Sequence, residues 1–137
     1  MVTPGYSGTP LAKKLGIKAG DTIFALGAPK DYRDWLSPLP ENVSITAKSK
    51  PGSHAIVHFF APMMADIERN LTLARQAMTR EGALWVSWYK KSAKLPTDVT
   101  EDRIRERLLK TDLVDVKVCA VSDIWSGLKF VVRKNLR

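Results

Sequence analysis

The residues of this chain best suited to binding a charged ligand lie in one aromatic and basic segment, Trp85–Lys94. Its sequence, WVSWYKKSAK, places three lysines directly after a run of aromatic residues. Lysines bind phosphate groups, and aromatic rings can stack on the bases of single-stranded nucleic acid. The alternative, and the commoner role of such rings in a strand, is the core, with Trp85 and Trp88 on opposite faces. The segment is therefore predicted to be a strand that ends in a basic loop.

A second candidate is the segment Leu26–Lys30, with sequence LGAPK, which follows a predicted first strand and contains one glycine, Gly27. Nucleotide-binding loops at this point use several glycines, because their backbone N–H groups approach phosphate or ribose closely. Here Ala28 adds a Cβ, and Pro29 lacks an N–H. The acid that would bind the ribose hydroxyls after the next strand is also missing, since residues 48–50 read KSK. We therefore predict no S-adenosylmethionine, NAD or other cofactor bound in the usual mode.

Metal-binding and nucleophilic sites are not indicated by the remaining polar residues. The only histidines, His54 and His58, lie at i and i+4 of a predicted strand. The strand rise separates them by about 13 Å, too far to share a metal ion. Neither Ser7 nor Ser87 has a base partner that can be recognised from the sequence, so neither is predicted to be a nucleophile.

The elements that must position these residues follow a regular order. From Ala83 to Lys134 the pattern is strand, helix, strand, tight turn, strand. The connection 122–127 is too short for a crossover helix, so the last two strands must form an antiparallel pair. The nearly all-apolar segment His54–Phe60 is typical of a parallel strand covered on both faces. Predicted strands are 22–26, 43–47, 54–60, 83–89, 114–121 and 128–133, and the clearest helix is 65–79.

This order resembles the C-terminal half of a class I methyltransferase-like Rossmann sheet, which ends in an antiparallel hairpin. The resemblance implies a truncated three-layer α/β fold with a mostly parallel sheet of about six strands and right-handed crossovers. It also implies that strand six lies between strands four and five. The phrase Leu15–Ile23 is similar to one in PDZ domains, but the long downstream helices favour the methyltransferase-like fold. A fold does not determine function.

Five phrases carry a second resemblance, which extends over nearly the whole chain. They are Gly5–Ile17, Ala83–Trp88, Thr100–Asp102, Val114–Val121 and Trp125–Phe130. Together they resemble an uncharacterised family of short bacterial proteins, catalogued as a domain of unknown function. The resemblance implies no activity, cofactor or catalytic residue. The chain departs from that pattern at Tyr89, where proline is expected.

Composition limits the partners that the chain can be expected to have. The 137 residues carry a net charge of +8, with 22 basic and 14 acidic side chains, which favours polyanionic partners. Plain solubility is the alternative explanation of this charge. No signal peptide, membrane span or disulfide is predicted, since Cys119 is the only cysteine. We expect a cytoplasmic protein of one α/β domain, 1–137, in which residues 1–8 are a loose lead-in.

The sequence favours a non-catalytic binding or regulatory module on a degenerate methyltransferase-like fold. The alternatives are a nucleic-acid-associated basic protein and an enzyme with an unrecognised site at the carboxyl ends of the strands. The predicted ligand carries phosphate or is another polyanion, and no membrane partner is expected. Because parallel strands end at one edge of a sheet, we expect the candidate ligand-binding residues to lie together: Gly27, Lys48, Lys50, Trp88, Lys90, Lys91 and Lys94.

Overall fold

The computed structural model describes residues 9–137, so the predicted lead-in of residues 1–8 lies outside the described part. Its strands are β1 (Thr22–Leu26), β2 (Ser44–Thr46), β3 (His54–Phe60), β4 (Met78–Tyr89), β5 (Leu113–Ala120) and β6 (Trp125–Val132). Its α-helices are α1 (Leu11–Leu15), α2 (Tyr32–Leu36), α3 (Met64–Ala77) and α4 (Glu101–Leu108). Lys91–Ala93 and Lys134–Leu136 form single 3-10 turns.

All six strands belong to one mixed sheet with the order β2-β1-β3-β4-β6-β5. The pairs β1–β2, β1–β3 and β3–β4 are parallel, whereas β4–β6 and β5–β6 are antiparallel. The predicted hairpin and the insertion of β6 beside β4 are therefore confirmed. Its tight turn is closed by Ser122, whose hydroxyl accepts hydrogen bonds from the backbone N–H groups of Ile124 and Trp125.

The sheet separates two apolar layers, as its strand alternation requires. One layer packs α3 and α4 against residues such as Val86 and Trp88 of β4. The other packs α1 and α2 against the opposite side of β4, where the buried Trp85 indole donates a hydrogen bond to the carbonyl of Leu15 over 3.1 Å. The three-layer α/β prediction and the predicted faces of β4 are thus confirmed.

Some boundaries differ from those predicted. Strand β4 begins at Met78 rather than Ala83, because Met78 already pairs with His54. The next residues to pair are Ile56 and Ala83, so residues 79–82 depart from a regular ladder. At Gly82 a Cβ would lie 2.8 Å from the carbonyl oxygen of Ala55, which explains why this position suits glycine.

Helix α1 lies between a proline and a glycine. It begins at Leu11 with Pro10 as its N-cap and has no side-chain cap. It ends at Gly16, whose φ of 82° is left-handed and favours glycine. Among residues 9–137, none of the helices combines the length and apolar character needed to cross a membrane.

Candidate functional site

The strand order reverses between β1 and β3, because β1 pairs with β2 on one side and with β3 on the other. Open α/β sheets bind ligands outside the carboxyl ends of the strands at such a switch point. Here Gly27 follows β1 with a φ of 74°, and a Cβ on it would lie 3.2 Å from the carbonyl oxygen of Phe60, the last residue of β3. The loop after β1 therefore passes close to the end of β3. We call the region at the carboxyl ends of β1, β3 and β4 the carboxyl edge.

The basic loop after β4 is fixed to the segment that follows β3. The Thr97 hydroxyl donates a hydrogen bond to the carbonyl of Pro62 over 2.5 Å. The carboxylate of Asp98 accepts one from the backbone N–H of Met64 at the start of α3. At the other end of the loop, the N–H of Lys90 donates to the carbonyl of Ile124 over 2.9 Å. The loop thus has a defined path although Tyr89 replaces the expected proline.

The lysines of this loop form no ion pair within residues 9–137. Lys91 and Lys94 are exposed and Lys90 is half-buried. Within residues 9–137, an arginine supplies the cation of every ion pair, and no lysine ammonium lies within 4.0 Å of a carboxylate oxygen. The carboxyl edge therefore has an unpaired positive charge beside the strand-order switch point.

The structure does not bring all the predicted site residues together. The backbone N–H of Lys50 donates to Nε2 of His54, whose Nδ1 bonds the carbonyl of Thr22. His54 and Thr22 begin β3 and β1, so Lys50 lies at the amino edge, about 20 Å of strand rise from the carboxyl edge. The prediction that Lys50 lies near Lys90 is wrong, because no helix follows the short β2 and the chain returns directly to the start of β3.

Two further predicted residues are placed by their local contacts. The backbone N–H of Lys48 donates to the Thr46 hydroxyl, which forms a turn immediately after β2. Trp88 is only 8% exposed and belongs to the apolar layer of α3 and α4, so its ring is a core side chain and is not free to stack on a ligand. Of the predicted set, Gly27, Lys90, Lys91 and Lys94 follow the carboxyl ends of β1 and β4.

A buried polar chain, which the sequence did not indicate, lies below this edge. The Tyr32 hydroxyl and Nδ1 of His58 are 2.8 Å apart, and Nε2 of His58 is 2.7 Å from Oγ of Ser87. The three residues are buried. No partner for Ser87 could be recognised from the sequence, and the pairing of β3 with β4 brings the His58 imidazole beside it. Only the strand register could have revealed this contact.

The protonation states of Tyr32, His58 and Ser87 determine what this hydrogen-bonded network can do. Burial lowers the pKa of His58 to about 3, so the imidazole is neutral and has one donor and one acceptor nitrogen. Burial raises the pKa of the Tyr32 phenol, which keeps its proton. His58 is the side-chain partner of both hydroxyls, so its single ring proton makes it the donor to one of them and the acceptor from the other. The three side chains thus form a neutral, buried hydrogen-bonded network.

The histidines are also engaged in ways that do not favour metal binding. Both ring nitrogens of His54 bond to the backbone, and both of His58 bond to side chains. In the part of the chain that the structure describes, no three His, Cys, Asp or Glu residues form a group that could hold a metal ion.

Comparison with solved structures identifies the type of fold. A protein from Sulfolobus solfataricus, assigned as a type 11 methyltransferase, has a TM-score of 0.67 and 10% identity, covering 98% of this chain and 95% of its own. A SAM-dependent methyltransferase from Aquifex aeolicus has a TM-score of 0.60 and 12% identity, with coverages of 89% and 88%. A protein described as a methyltransferase, in complex with the Trm112 activator of Haloferax volcanii, has a TM-score of 0.64 and 11% identity, with coverages of 89% and 86%.

The comparisons by sequence give no match. No family model matches the chain, and no curated protein does so. The structural likenesses therefore establish a methyltransferase-like Rossmann fold across nearly all of the chain. At 10–12% identity they carry no information on activity or ligand.

Proposed function

We propose that this protein is a non-catalytic, cytoplasmic binding module on a methyltransferase-like fold, and that it holds a phosphate-bearing ligand at the carboxyl edge. The observation that carries the proposal is the unpaired charge of Lys90, Lys91 and Lys94 beside the strand-order switch point. We also infer that the chain acts as one domain of the uncharacterised bacterial family that its phrases resemble.

A non-catalytic role is supported by the chemistry of the groups near this edge. Ser87 and His58 are both fully buried and bonded to each other, so neither is accessible to a substrate as a nucleophile or as a base. Asp98, the acid in the basic loop, is occupied by the backbone N–H of Met64 and lies 3.8 Å from the Arg103 guanidinium. Neither the His58 imidazole nor the Asp98 carboxylate is therefore free to act as a general base.

The ligand class follows from the type of cation. A lysine ammonium is a compact point charge that can meet a phosphate from several directions, and two such charges 4 Å apart interact by about 1 kcal/mol in water. We expect inorganic pyrophosphate, used as the probe, to bind the wild type in low salt by calorimetry. The triple variant Lys90→Ala, Lys91→Ala, Lys94→Ala should bind it at least about tenfold more weakly.

A matched control removes the same charge elsewhere. Lys50, Lys110 and Lys134 are also exposed. Lys50 lies at the amino edge, and so does Lys134, because it follows β6, which is antiparallel to β4. The combined change of these three lysines to alanine should leave pyrophosphate binding within about twofold of the wild type. Equal losses in both triple variants would indicate a general charge effect and would overturn the carboxyl-edge site.

The absence of methyl-donor binding is a separate prediction. The loop Leu26–Lys30 has one glycine, and residues 48–50 offer lysines in place of a ribose-binding acid. Calorimetry with S-adenosylmethionine should therefore detect no binding in the micromolar range. A micromolar dissociation constant would contradict the prediction that no cofactor is bound. It would also contradict the main argument for a non-catalytic role.

The second candidate function is association with nucleic acid, which the net charge of +8 favours. In that case the carboxyl-edge lysines would bind phosphates of the backbone. A salt titration of a labelled duplex should then show a log–log slope of about −0.9 per phosphate neutralised, and the Lys90, Lys91, Lys94 triple variant should flatten the slope by about two to three units.

A further inference from the structure

A groove with a different set of lysines lies between α1 and the edge strand β5. It encloses about 680 Å³ and is open to solvent. Helix α1 and strand β5, which are far apart in sequence, contribute opposite walls. Its lining residues are Thr9, Lys13, Lys14, Lys117, Val118, Cys119 and Ala120. We call this the α1–β5 groove. It lies on the α1 side of the sheet, and β6 separates β5 from β4.

Two more lysines extend the positive charge beside the groove. Lys129 of β6 pairs in register with Lys117 of β5, so their Cβ atoms lie about 5 Å apart on one face. Burial lowers the pKa of Lys129, and the nearby charges of Lys117 and Lys18 lower it further. The cluster therefore consists of five lysines whose like charges repel one another: Lys13, Lys14, Lys18, Lys117 and Lys129.

The side chains of this cluster form no ion pair with an acid within 4.0 Å in the described part of the chain. The sequence of residues 1–8, MVTPGYSG, contains no acidic side chain. Like charges placed together without counter-charges cost folding free energy, and a bound polyanion would remove that cost.

The lining distinguishes between polyanions. Protein-binding surfaces concentrate their affinity in buried aromatic and arginine side chains, and the α1–β5 groove is lined by neither. A nucleic-acid strand presents one charge per about 3.4 Å of duplex axis, which suits closely spaced ammonium groups. Without aromatic side chains to stack on bases, such a groove contacts phosphates only.

We propose that the α1–β5 groove binds the phosphodiester backbone of nucleic acid without base preference, through Lys13, Lys14 and Lys117. Lys18 and Lys129 add to the field around it. The thiol of Cys119 takes no part, because burial raises its pKa more than the neighbouring Lys14 and Lys117 lower it. Because this site shares no residue with the carboxyl edge, each proposal can be supported or overturned without the other.

The test is a salt titration of a fluorescent oligonucleotide, as single strand and as duplex, against four proteins. These are the wild type, the groove variant Lys13→Ala, Lys14→Ala, Lys117→Ala, the carboxyl-edge triple variant, and the Lys50, Lys110, Lys134 control. The groove variant should flatten the log–log slope by about two to three units, since each lost phosphate contact contributes about 0.7 for single strands and 0.9 for duplex. The control should change the slope by less than about one unit.

Each outcome decides the proposal. No binding by the wild type at low salt, or equal slopes for the groove variant and the control, would overturn it. Oligonucleotides of different base sequence should bind equally, and a strong sequence preference would contradict backbone-only contact. Polyglutamate of matched charge should compete more weakly than the oligonucleotide, and tighter binding of polyglutamate would reassign the groove to an acidic protein. Loss of pyrophosphate binding in the carboxyl-edge variant alone would support the proposed function, whatever the result for the groove.

Discussion

At the scale of single residues, the most informative contact is the one between His58 and its two neighbours. Tyr32 comes from α2, His58 from β3 and Ser87 from β4, so the chain of hydrogen bonds joins a helix to two strands. Its members are buried, and each is satisfied by another, which is the condition under which a buried polar network specifies one packing arrangement. The Phe60 ring stacks on His58 with centroids 4.3 Å apart and completes the apolar surroundings.

His58 makes acid stability a prediction at this scale. Its pKa is about 3 in the folded protein and about 6.5 in the unfolded chain. Between these values the unfolded state binds more protons, so the free energy of unfolding should fall as the pH is lowered from about 6.5 towards 3, by up to about 1.4 kcal/mol per pH unit.

The measurement is an NMR titration of the His58 ring together with urea unfolding at pH 7 and pH 4.5. The ring should remain neutral throughout, and the protein should be less stable at pH 4.5. A His58→Gln variant, which cannot titrate, should be less stable at pH 7 but should lose less between the two pH values. Protonation of His58 near pH 6 in the folded protein would contradict the assignment of a neutral network.

At the scale of elements, the sequence predicted the sheet well and the site incompletely. The hairpin of β5 and β6 follows from a connection too short for a crossover, and this local rule leaves no alternative. The position of Lys50 depended instead on how the chain returns after β2, and this segment has no periodic pattern to read. The hydrogen bond between His58 and Ser87, which are 29 residues apart, depends on the register of two parallel strands. Residue spacing alone does not specify that register.

Arginines, in contrast to lysines, join the elements to one another. Arg75 at the end of α3 forms a forked pair with Asp112 just before β5, with N···O distances of 2.7 to 3.1 Å. The Arg105 guanidinium of α4 holds the pKa of the Asp115 carboxyl on β5 below its usual range. Planar guanidinium groups suit such forked contacts, so the structural ion pairs use arginine and leave the lysines unpaired.

Gly82 provides the prediction at the element scale. A Cβ there would lie 2.8 Å from the Ala55 carbonyl oxygen and 3.2 Å from that of His54, both of which are backbone atoms of β3. Gly82→Ala should therefore push β4 from β3 and reduce the free energy of unfolding by about 1–3 kcal/mol. The exposed neighbour Glu81, changed to alanine, is the matched control and should alter stability by less than about 0.5 kcal/mol. Urea unfolding measures both, and similar losses in the two variants would show that the close approach is unimportant.

At the scale of the whole molecule, the arginines and lysines that produce the net charge of +8 differ in their contacts. The arginines found in ion pairs lie on α3 and α4, whereas the lysines of the carboxyl edge and of the α1–β5 groove have no acid within 4.0 Å among residues 9–137. A fold that needed these charges only for its own stability would pair them. Like charges that cluster without ion pairs reduce the stability of the free protein, and our proposals assign the compensating charge to a bound polyanion.

This interpretation predicts opposite effects on stability and on binding at one residue. Lys117 faces Lys129 directly across β5 and β6, and like charges in this position destabilise a strand pair. Lys117→Gln keeps most of the side chain and removes the charge, so it should raise the free energy of unfolding by about 0.2–1 kcal/mol in low salt. The gain should disappear near 1 M salt, where the screening length is about 3 Å. The same variant should bind a labelled oligonucleotide more weakly than the wild type.

The control is Lys110→Gln, an exposed lysine between α4 and β5 and outside the groove lining, for which both effects should be small. Urea unfolding at low and high salt measures stability, and fluorescence anisotropy measures binding. A Lys117→Gln variant that is less stable than the wild type at low salt would show that Lys117 stabilises the fold. A variant that is more stable yet binds equally well would mean that the repulsion is unrelated to nucleic acid. Only greater stability together with weaker binding fits a groove whose like charges destabilise the free protein and bind a polyanion.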